Sequence, residues 1–347
     1  MKAFQLVAIG KPGQFQLAEV PVPVPGPEEV VVRVHSCGLN HLDLWLEEGG
    51  LPIPIRLPRI PGCEVAGEID TVGRRVTGWQ RGDRVVVQSN LFCGRCEFCG
   101  RGEESLCLNG ELLGVQRDGG LAEFVLVPAR ALVRLPDNVE YETAAALGLA
   151  GTTAMHMLTD RTTVKEGDWV LAMGAASGVG SAAIQIARHF GARVISTGST
   201  EAKRELGLGL GAEAVVDISA PTWPAEIRRL TGRHGVDLVV EHIGGEVLEQ
   251  SFHCLARGGT VVTCGATTGR ELKLHLWPFF VKQQRLIGSY GRNRADMEKC
   301  LVATQEGWLR PVLDTVLPLD RAEEGFHRLR DRRVLGTLLC TPGPIRD

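Results

Sequence analysis

The sequence predicts an α/β fold of two domains, because the pattern of apolar residues, glycines and prolines changes part-way along the 347-residue chain. The first third carries β-branched runs such as 30–34 and 84–87, broken by many glycines and prolines. From Asp168 onward, short apolar runs alternate with helical stretches. Repeated βα units are typical of a doubly wound parallel sheet. We therefore expect a β-rich domain first and a doubly wound parallel sheet second.

The elements follow from this pattern in chain order. Further strands are expected in the first part at 121–127 and 131–135, and a helix at 141–150. In the second part the predicted strands are 169–173, 193–197, 214–217, 236–242, 260–264 and 285–289, and the predicted helices are 181–190, 201–210, 223–231 and 246–255. The last part of the sequence, residues 291–347, predicts helices at 294–306 and 320–330 and a strand at 336–340. These elements could belong to the first domain.

Composition excludes several classes of protein. The chain is 44% hydrophobic and 23% charged with a formal net charge of -3, so it offers no basic face for nucleic acid. It has no apolar run of membrane-spanning length, and its start lacks a signal-peptide pattern. Six scattered cysteines fit reduced thiols: Cys37, Cys63, Cys254, Cys264, Cys300 and Cys340. We expect a cytoplasmic protein without membrane or nucleic-acid partners.

Four further cysteines form a cluster in the stretch CGRCEFCGRGEESLC. They are Cys93, Cys96, Cys99 and Cys107. Thiolates at this spacing can converge on one tetrahedral Zn²⁺, and four of them leave no open position for water or substrate. The pattern predicts one structural zinc; chance clustering and disulfides are the alternatives.

A glycine-rich loop predicts dinucleotide binding. Gly178, Gly180 and Ala183 fit G-x-G-x-x-[GA] between a predicted strand and a predicted helix. A side chain at Gly180 would hold the backbone away from a pyrophosphate, and the helix N-terminus offers free N–H groups to it. The residues expected to contact the cofactor here are Gly174, Ser177, Gly178, Val179 and Gly180. The alternative is a glycine-rich turn that binds nothing.

The next strand bears on the choice between NADP and NAD. In an NAD site, an acidic residue at the end of this strand binds the ribose 2′-OH. Residues 196–200 contain none, whereas Ser199, Lys203 and Arg204 would suit a 2′-phosphate. We therefore expect NADP(H) rather than NAD(H), although Lys203 and Arg204 could equally form a solvated helix face.

Taken together, these segments resemble the medium-chain dehydrogenase/reductase superfamily, which includes zinc alcohol dehydrogenases and quinone reductases. The resemblance rests on the cysteine quartet, GAASGVG and four further motifs: SCGLNHLDLW, PGCEVAGEIDTVG, GDRV and AAALGLAGTTA. It implies a GroES-like catalytic domain at 1–150 and 291–347, with a zinc lobe at about 89–112. It also implies a Rossmann domain at 151–290, a cleft between the two, and a homodimer or homotetramer.

Family members with a catalytic zinc bind it through three motifs, and this chain departs from all three. Asn40 stands at the first, Cys63 before Glu64 at the second, and Leu149 at the third. Zinc-independent relatives, the quinone reductase-like branch, carry an asparagine at the first position. The resemblance thus predicts hydride transfer without catalytic zinc. A rebuilt site of Cys63, Glu64 and His41, with Cys37 or His156, remains an alternative.

The resemblance also suggests roles for the site residues. Asn40 would donate a hydrogen bond to the substrate carbonyl or to the nicotinamide ribose. His41 would lie near the cofactor phosphates or supply a proton. Asp43 and Glu64 would organise the cleft, and Cys63 lies beside them in sequence. At the ends of later strands we expect cofactor contacts from His242, Gly265, Gly288 and Ser289, for which ordinary turns are the alternative.

The predicted function is therefore an NAD(P)H-dependent reductase of quinones, enones or related carbonyl compounds with one structural zinc. Two alternatives stay open: an alcohol dehydrogenase with a non-standard metal site, and a nucleotide-binding redox sensor without catalysis.

Overall fold

The chain folds into two units, each built around its own β-sheet, in a computed structural model that describes residues 1–343. The first unit comprises Met1–Leu149, Arg292–Glu306 and the described residues from Pro311 onward. The second comprises Ala150–Gly291 and Gly307–Arg310.

The elements of the first 149 residues are mostly strands. They are β1 (Lys2–Leu6), β2 (Phe15–Glu19), β3 (Glu29–Leu39), α1 (His41–Glu47), β4 (Glu64–Val72), β5 (Arg84–Val87), β6 (Asn90–Leu91), α2 (Glu97–Gly100), β7 (Glu111–Leu112), β8 (Phe124–Pro128), β9 (Leu132–Arg134) and α3 (Tyr141–Ala146).

Strands and helices then alternate up to residue 291. These elements are α4 (Thr152–His156), β10 (Trp169–Ala172), α5 (Gly178–His189), β11 (Arg193–Thr197), α6 (Glu201–Gly209), β12 (Ala214–Val216), α7 (Trp223–Leu230), β13 (Val236–Glu241), α8 (Gly245–Cys254), β14 (Leu255–Thr263), α9 (Leu276–Val281) and β15 (Arg285–Gly288). The remaining described part contains α10 (Arg294–Gln305), β16 (Leu313–Pro318), α11 (Ala322–Arg330) and β17 (Thr337–Thr341).

The sheet of the second unit is parallel throughout, with the strand order β12-β11-β10-β13-β14-β15. Its central strands β10 and β13 are largely buried, as the apolar runs Val170–Ala172 and Val239–Val240 show. The predicted α/β class and doubly wound sheet are confirmed. Because the strands are parallel, their carboxyl ends meet along one edge, where the glycine-rich loop begins after β10.

The main sheet of the first unit has the order β16-β17-β3-β4-β5-β9, and β8 also pairs with β3. Pairing is antiparallel except between β16 and β17. The tail strand β17 pairs with β3, where Cys340 lies opposite Cys37. The strand predicted at 30–34 extends to Leu39, which brings Asn40 to the end of a buried central strand.

Four predicted features differ from the structure. Helix α1 was not expected; its start is fixed by the Asp43 carboxylate, which accepts a hydrogen bond from the Asn40 N–H. Helix α9 occupies a segment between 264 and 285 for which no helix was predicted, and the strand predicted at 260–264 already begins at Leu255. The helix predicted at 141–150 changes at Leu147 to a π-helical turn that ends at Gly151.

A short segment of the tail, 307–310, groups with the second unit rather than the first, unlike the predicted division at 291. The cause is local: the ring of Trp308 stacks on His189, with centroids 3.7 Å apart, and Gln185 exchanges two hydrogen bonds with the backbone of Arg310. No helix within residues 1–343 is long and apolar enough to cross a membrane.

Candidate active site and metal centre

The four clustered cysteines converge in the first unit. Cys93 follows β6, Cys96 precedes α2, Cys99 lies in α2, and Cys107 follows a short 3₁₀ turn. Gly94 turns the chain between the first two with a φ of +73°, a conformation that favours glycine.

The sulfur positions fit a tetrahedral metal site. The Sγ atoms of Cys96 lie 3.5 Å from Cys99 and 3.9 Å from Cys107, and those of Cys93 and Cys99 lie 4.0 Å apart. A zinc ion with Zn–S bonds of about 2.3 Å would place its ligands about 3.8 Å apart. All four sulfurs lie within 4.8 Å of one another, and this is the only group of three or more His, Cys, Asp or Glu with such geometry among residues 1–343.

Asn40 is held at its backbone by a buried aspartate. The carboxylate of Asp43 accepts from the N–H of Asn40 (2.9 Å) and from the N–H of Gly62 (3.1 Å). It thereby ties the start of α1 to the segment that leads into β4. Burial raises the pKa of Asp43 to about 6, although both backbone hydrogen bonds favour the charged form.

The side chain of Asn40 is held by a second buried carboxylate, that of Glu64. Asn40 Nδ2 donates to Glu64 Oε2 at 2.9 Å, and the N–H of Leu149 donates to Glu64 Oε1 at 2.6 Å. Glu64 is 0% exposed. Two glycines make room for it: a Cβ at Gly38 would lie 2.1 Å from Glu64 Oε2, and one at Gly148 would lie 3.4 Å from its Cβ. Glu64 therefore links the three sequence positions at which zinc-dependent family members carry ligands.

Cys63 and His41 lie in different surroundings. Cys63 is fully buried in the apolar core of the first unit, and burial raises the pKa of its thiol well above the usual range. Cys37 is buried in the same core and its thiol pKa is raised for the same reason. His41 is the exposed first residue of α1. His156, another candidate ligand, is buried in α4 of the second unit, where its Nδ1 lies 3.4 Å from Asp160.

The glycine-rich loop of the second unit has a defined hydrogen-bonding pattern. Ser177 caps α5: its Oγ accepts from the N–H of Gly180 at 2.8 Å and donates to the carbonyl of Gly174 at 2.9 Å. Gly174 has a φ of +65°, and its N–H donates to Thr197 Oγ1 at 2.9 Å. The first residues of α5, Gly178 and Val179, are half-buried. Their helix N-terminus directs N–H groups out of the loop, as a phosphate site requires.

The glycine at position 180 is also required by the loop itself. A Cβ there would lie 2.1 Å from the carbonyl oxygen of Gly174 and 2.4 Å from that of Met173. The loop's own backbone therefore excludes a side chain, before any pyrophosphate is considered.

His242 supports this loop from the end of β13. Its Nε2 lies 3.0 Å from the carbonyl oxygen of Met173 and 3.0 Å from Ser177 Oγ. Because a carbonyl oxygen only accepts, Nε2 carries the hydrogen. His242 thus contacts the loop, as a positioning group for its backbone.

Two residues of this edge were missed by the sequence analysis. Thr197 is buried at the end of β11 and binds the loop at Gly174. Glu241 is 0% exposed at the end of β13, where it accepts from the N–H groups of Ile243 and Gly244 and from Thr263 Oγ1. A glutamate closing the apolar strand VDLVVE before His-Ile-Gly-Gly was the available signal.

The remaining predicted cofactor residues also lie at carboxyl ends of strands. A Cβ at Gly265 would lie 2.1 Å from the carbonyl oxygen of His242. Glycine is therefore needed where the segment after β14 lies against the backbone after β13. Gly288 ends β15 and is exposed. Ser289 is nine-tenths buried, and its Oγ has no hydrogen-bond partner within the described residues. Such an orphaned hydroxyl fits a polar ligand at this edge.

At the end of β11, Ser199 is exposed, and Thr200 caps α6 by accepting from the N–H of Lys203 at 3.4 Å. The guanidinium of Arg204 lies 3.2 Å from Asp217 and donates to the carbonyl of Gly198 at 3.4 Å. Arg204 thus has a carboxylate partner, whereas β11 itself ends without an acid.

Comparison with known proteins shows the family to which the chain belongs. Residues 26–137 match the alcohol dehydrogenase GroES-like domain, and residues 178–306 match the zinc-binding dehydrogenase family. An alcohol dehydrogenase of Geobacillus stearothermophilus is 32% identical over 98% of this chain and 99% of its own. The chain belongs to the medium-chain dehydrogenase/reductase superfamily. A quinone oxidoreductase of Sus scrofa is 29% identical over 94% of this chain and 93% of its own.

A solved structure, that of an NAD-dependent alcohol dehydrogenase, superposes with a TM-score of 0.94 and 42% identity, covering 98% of this chain and 99% of that one. This member of the superfamily is accordingly an NAD(P)-dependent oxidoreductase of the zinc-type alcohol dehydrogenase-like family. Its four-sulfur cluster fits zinc, and its glycine-rich loop with the orphaned Ser289 hydroxyl fits a nicotinamide dinucleotide.

Proposed function

We propose that this protein is an NADPH-dependent reductase of quinones, enones or related carbonyl compounds, and that it works without a catalytic metal. One observation carries the proposal: both oxygens of the Glu64 carboxylate accept hydrogen bonds, from Asn40 and from the backbone of Leu149. A buried carboxylate satisfied in this way has its charge stabilised by N–H groups, as a metal would otherwise do.

The donor atoms available around Glu64 support the same proposal. An asparagine amide is a poor ligand for zinc, and the leucine side chain is none. The Cys63 side chain is buried in the apolar core of the first unit. Without a Lewis acid, a carbonyl oxygen must be polarised by hydrogen-bond donors alone.

Asn40 is the proposed donor to the substrate oxygen. Glu64 accepts a hydrogen bond from one N–H of Asn40 Nδ2, which fixes the orientation of the amide. The second N–H of Asn40 Nδ2 has no acceptor within the described residues. Asp43 holds the backbone of the same residue. The bound cofactor supplies a hydride, and a proton must reach the reduced product; His41, exposed at the start of α1, is the proposed source.

The preference for NADPH rests on the end of β11. No acid stands at 196–200 to bind a ribose 2′-OH, and Ser199, Lys203 and Arg204 offer groups for a 2′-phosphate. We expect kcat/KM to be higher with NADPH than with NADH. Lys203→Gln should narrow this ratio, whereas Lys165→Gln, outside this turn, should leave it unchanged.

A homodimer is proposed from the edge of the parallel sheet. The edge strand β15 carries the exposed Leu286, and the neighbouring α9 exposes Leu276, Trp277 and Phe280. An apolar surface beside an edge strand is typical of an interface. Light scattering should therefore give the mass of two chains of 37.5 kDa, and Leu286→Lys should shift the protein toward monomer.

The proposed activity is tested with the zinc-loaded protein, NADPH and a panel containing a benzoquinone, a cyclic enone and an aromatic aldehyde, each with an enzyme-free control. We expect NADPH oxidation coupled to two-electron reduction of at least one quinone or enone. Asn40→Ala should lower kcat and leave the Kd for NADPH unchanged. Absence of turnover with the whole panel, or an unchanged rate in Asn40→Ala, would refute the proposal.

A further inference from the structure

A groove of about 520 Å³ lies in the second unit between the first turn of α7, the end of α8 and the residue that follows α9. Its walls include Pro221 and Pro224 from the start of α7. Three basic side chains also line it: Arg228, His253 and Lys282.

The groove lies away from the predicted dinucleotide site. Arg228 Nη1 donates to the carbonyl of Leu255, the first residue of β14, and Lys282 lies three positions before Arg285, the first residue of β15. Both therefore mark the amino ends of parallel strands. The glycine-rich loop and His242 lie at the carboxyl ends of β10 and β13. We therefore expect a ligand in the groove not to compete with one on the loop.

The basic side chains of the groove lack counter-charges. Within residues 1–343, no carboxylate forms an ion pair with Arg228, His253 or Lys282, and the Lys282 ammonium makes no hydrogen bond. Arg228 uses its guanidinium on two backbone carbonyls, those of Leu255 and Arg233, so its charge is not neutralised. The pKa of Lys282 is lowered, first by burial and then by repulsion from Arg228 and Arg257. An anion placed among these groups would relieve that repulsion.

We propose that the groove binds a small organic phosphate, with the phosphate between Arg228, His253 and Lys282 and the organic part against Pro221 and Pro224. A phosphate dianion accepts hydrogen bonds from several donors at once, which matches the two cations, Arg228 and Lys282, and the imidazole of His253 that line the groove from three parts of the chain. The proline rings offer a rigid apolar wall for the rest of the molecule. Inorganic phosphate shares the chemistry of the head group and is the second source that an experiment must distinguish.

Calorimetric titration of the zinc-loaded protein with phenyl phosphate tests the proposal. The protein is first saturated with NADP⁺, so that the phosphate loop is occupied. We expect one site per chain and a Kd that rises with NaCl concentration. Lys282→Met should weaken binding about tenfold, since it removes one charge-assisted contact. This variant suits the test because, within residues 1–343, it removes no hydrogen bond or ion pair of the folded protein and methionine keeps most of the length of the side chain.

Two controls decide the outcome. Lys273→Met, an exposed lysine outside the groove, should bind phenyl phosphate as the unmodified protein does. Tighter binding of phenyl phosphate than of inorganic phosphate supports an organic ligand, and equal binding assigns the site to free phosphate, overturning the organic part of the proposal. No binding at millimolar concentration, or equal binding by Lys282→Met, overturns the site itself.

Discussion

At the scale of single residues, Asn40 is held by two buried carboxylates that lie on different elements. Asp43 binds its main-chain N–H from within α1, and Glu64 binds its side-chain amide from the start of β4. These two contacts fix the amide at its backbone and at its side chain. The Glu64 contact could not be read from the sequence, because it depends on the approach of β3 and β4, whereas the Asp43 contact is local to the start of α1. The residue types at 40, 43 and 64 were already candidates.

Glu64→Gln tests this arrangement. A glutamine has one acceptor oxygen and an NH₂ group, so a donor would face either the Asn40 amide or the Leu149 N–H. A lost buried hydrogen bond costs about 1–3 kcal/mol, so kcat should fall about tenfold or more. The Kd for NADPH should not change.

The matched control is Asp70→Asn on the same strand, which lies outside this network and should leave kcat unaltered. Full activity in Glu64→Gln would show that the orientation of Asn40 does not depend on Glu64.

The raised pKa of Asp43 predicts a pH effect on stability. The pKa of this carboxyl is about 6 in the folded state and about 3.9 in the unfolded chain. The folded state therefore binds more protons between these values, so the free energy of unfolding falls as pH rises through this window and levels off above it. Between pH 5 and 7.5 the fall due to Asp43 should be about 1 kcal/mol.

Urea unfolding of the parent protein and of Asp43→Asn at both pH values measures this contribution. The difference in unfolding free energy between pH 5 and 7.5 should be smaller in the variant by that amount. An identical difference in both proteins would mean that Asp43 is ionised in the folded state at pH 5.

At the scale of elements, the βα units of the second unit were predicted most closely. Strand β11 has the predicted bounds, and α5, α6 and α7 end within one residue of theirs. Apolar runs of buried parallel strands and capping residues such as Ser177 and Thr200 are local signals. Helix α1 was missed because its seven residues are too few for a helical period, and its start is fixed by Asp43 and Gly62, a contact distant in sequence.

The glycine-rich turn between β10 and α5 predicts a contrast between two alanine substitutions. Gly180→Ala would place a Cβ 2.1 Å from a backbone carbonyl, so the loop must shift and both stability and NADPH affinity should fall. Gly209→Ala, at the end of α6, meets nothing within 4 Å and should be neutral or stabilising by up to about 1 kcal/mol. Thermal melting and NADPH titration of both variants check this; retained affinity in Gly180→Ala would contradict the loop geometry.

At the scale of the whole molecule, the two units carry different chemistry. The first holds four sulfurs close enough to share one metal ion and the network of Asn40 and Glu64, and the second holds the glycine-rich loop. The superfamily was recognisable because its motifs mark turns, caps and ligand spacings, which are local. The relatives named alcohol dehydrogenase and quinone oxidoreductase share this fold, so the fold itself leaves the reaction open, and the residues near Asn40 must distinguish them.

The central claim, that the only metal is the one bound by the four cysteines, is tested most directly by metal analysis together with turnover. The purified protein should contain one zinc per chain and oxidise NADPH with a quinone or enone. Cys96→Ser should lose that zinc and melt at a lower temperature, while the protein that remains folded keeps its turnover. A second equivalent of metal, whose removal abolishes turnover in protein that keeps the cysteine-bound zinc, would contradict the account.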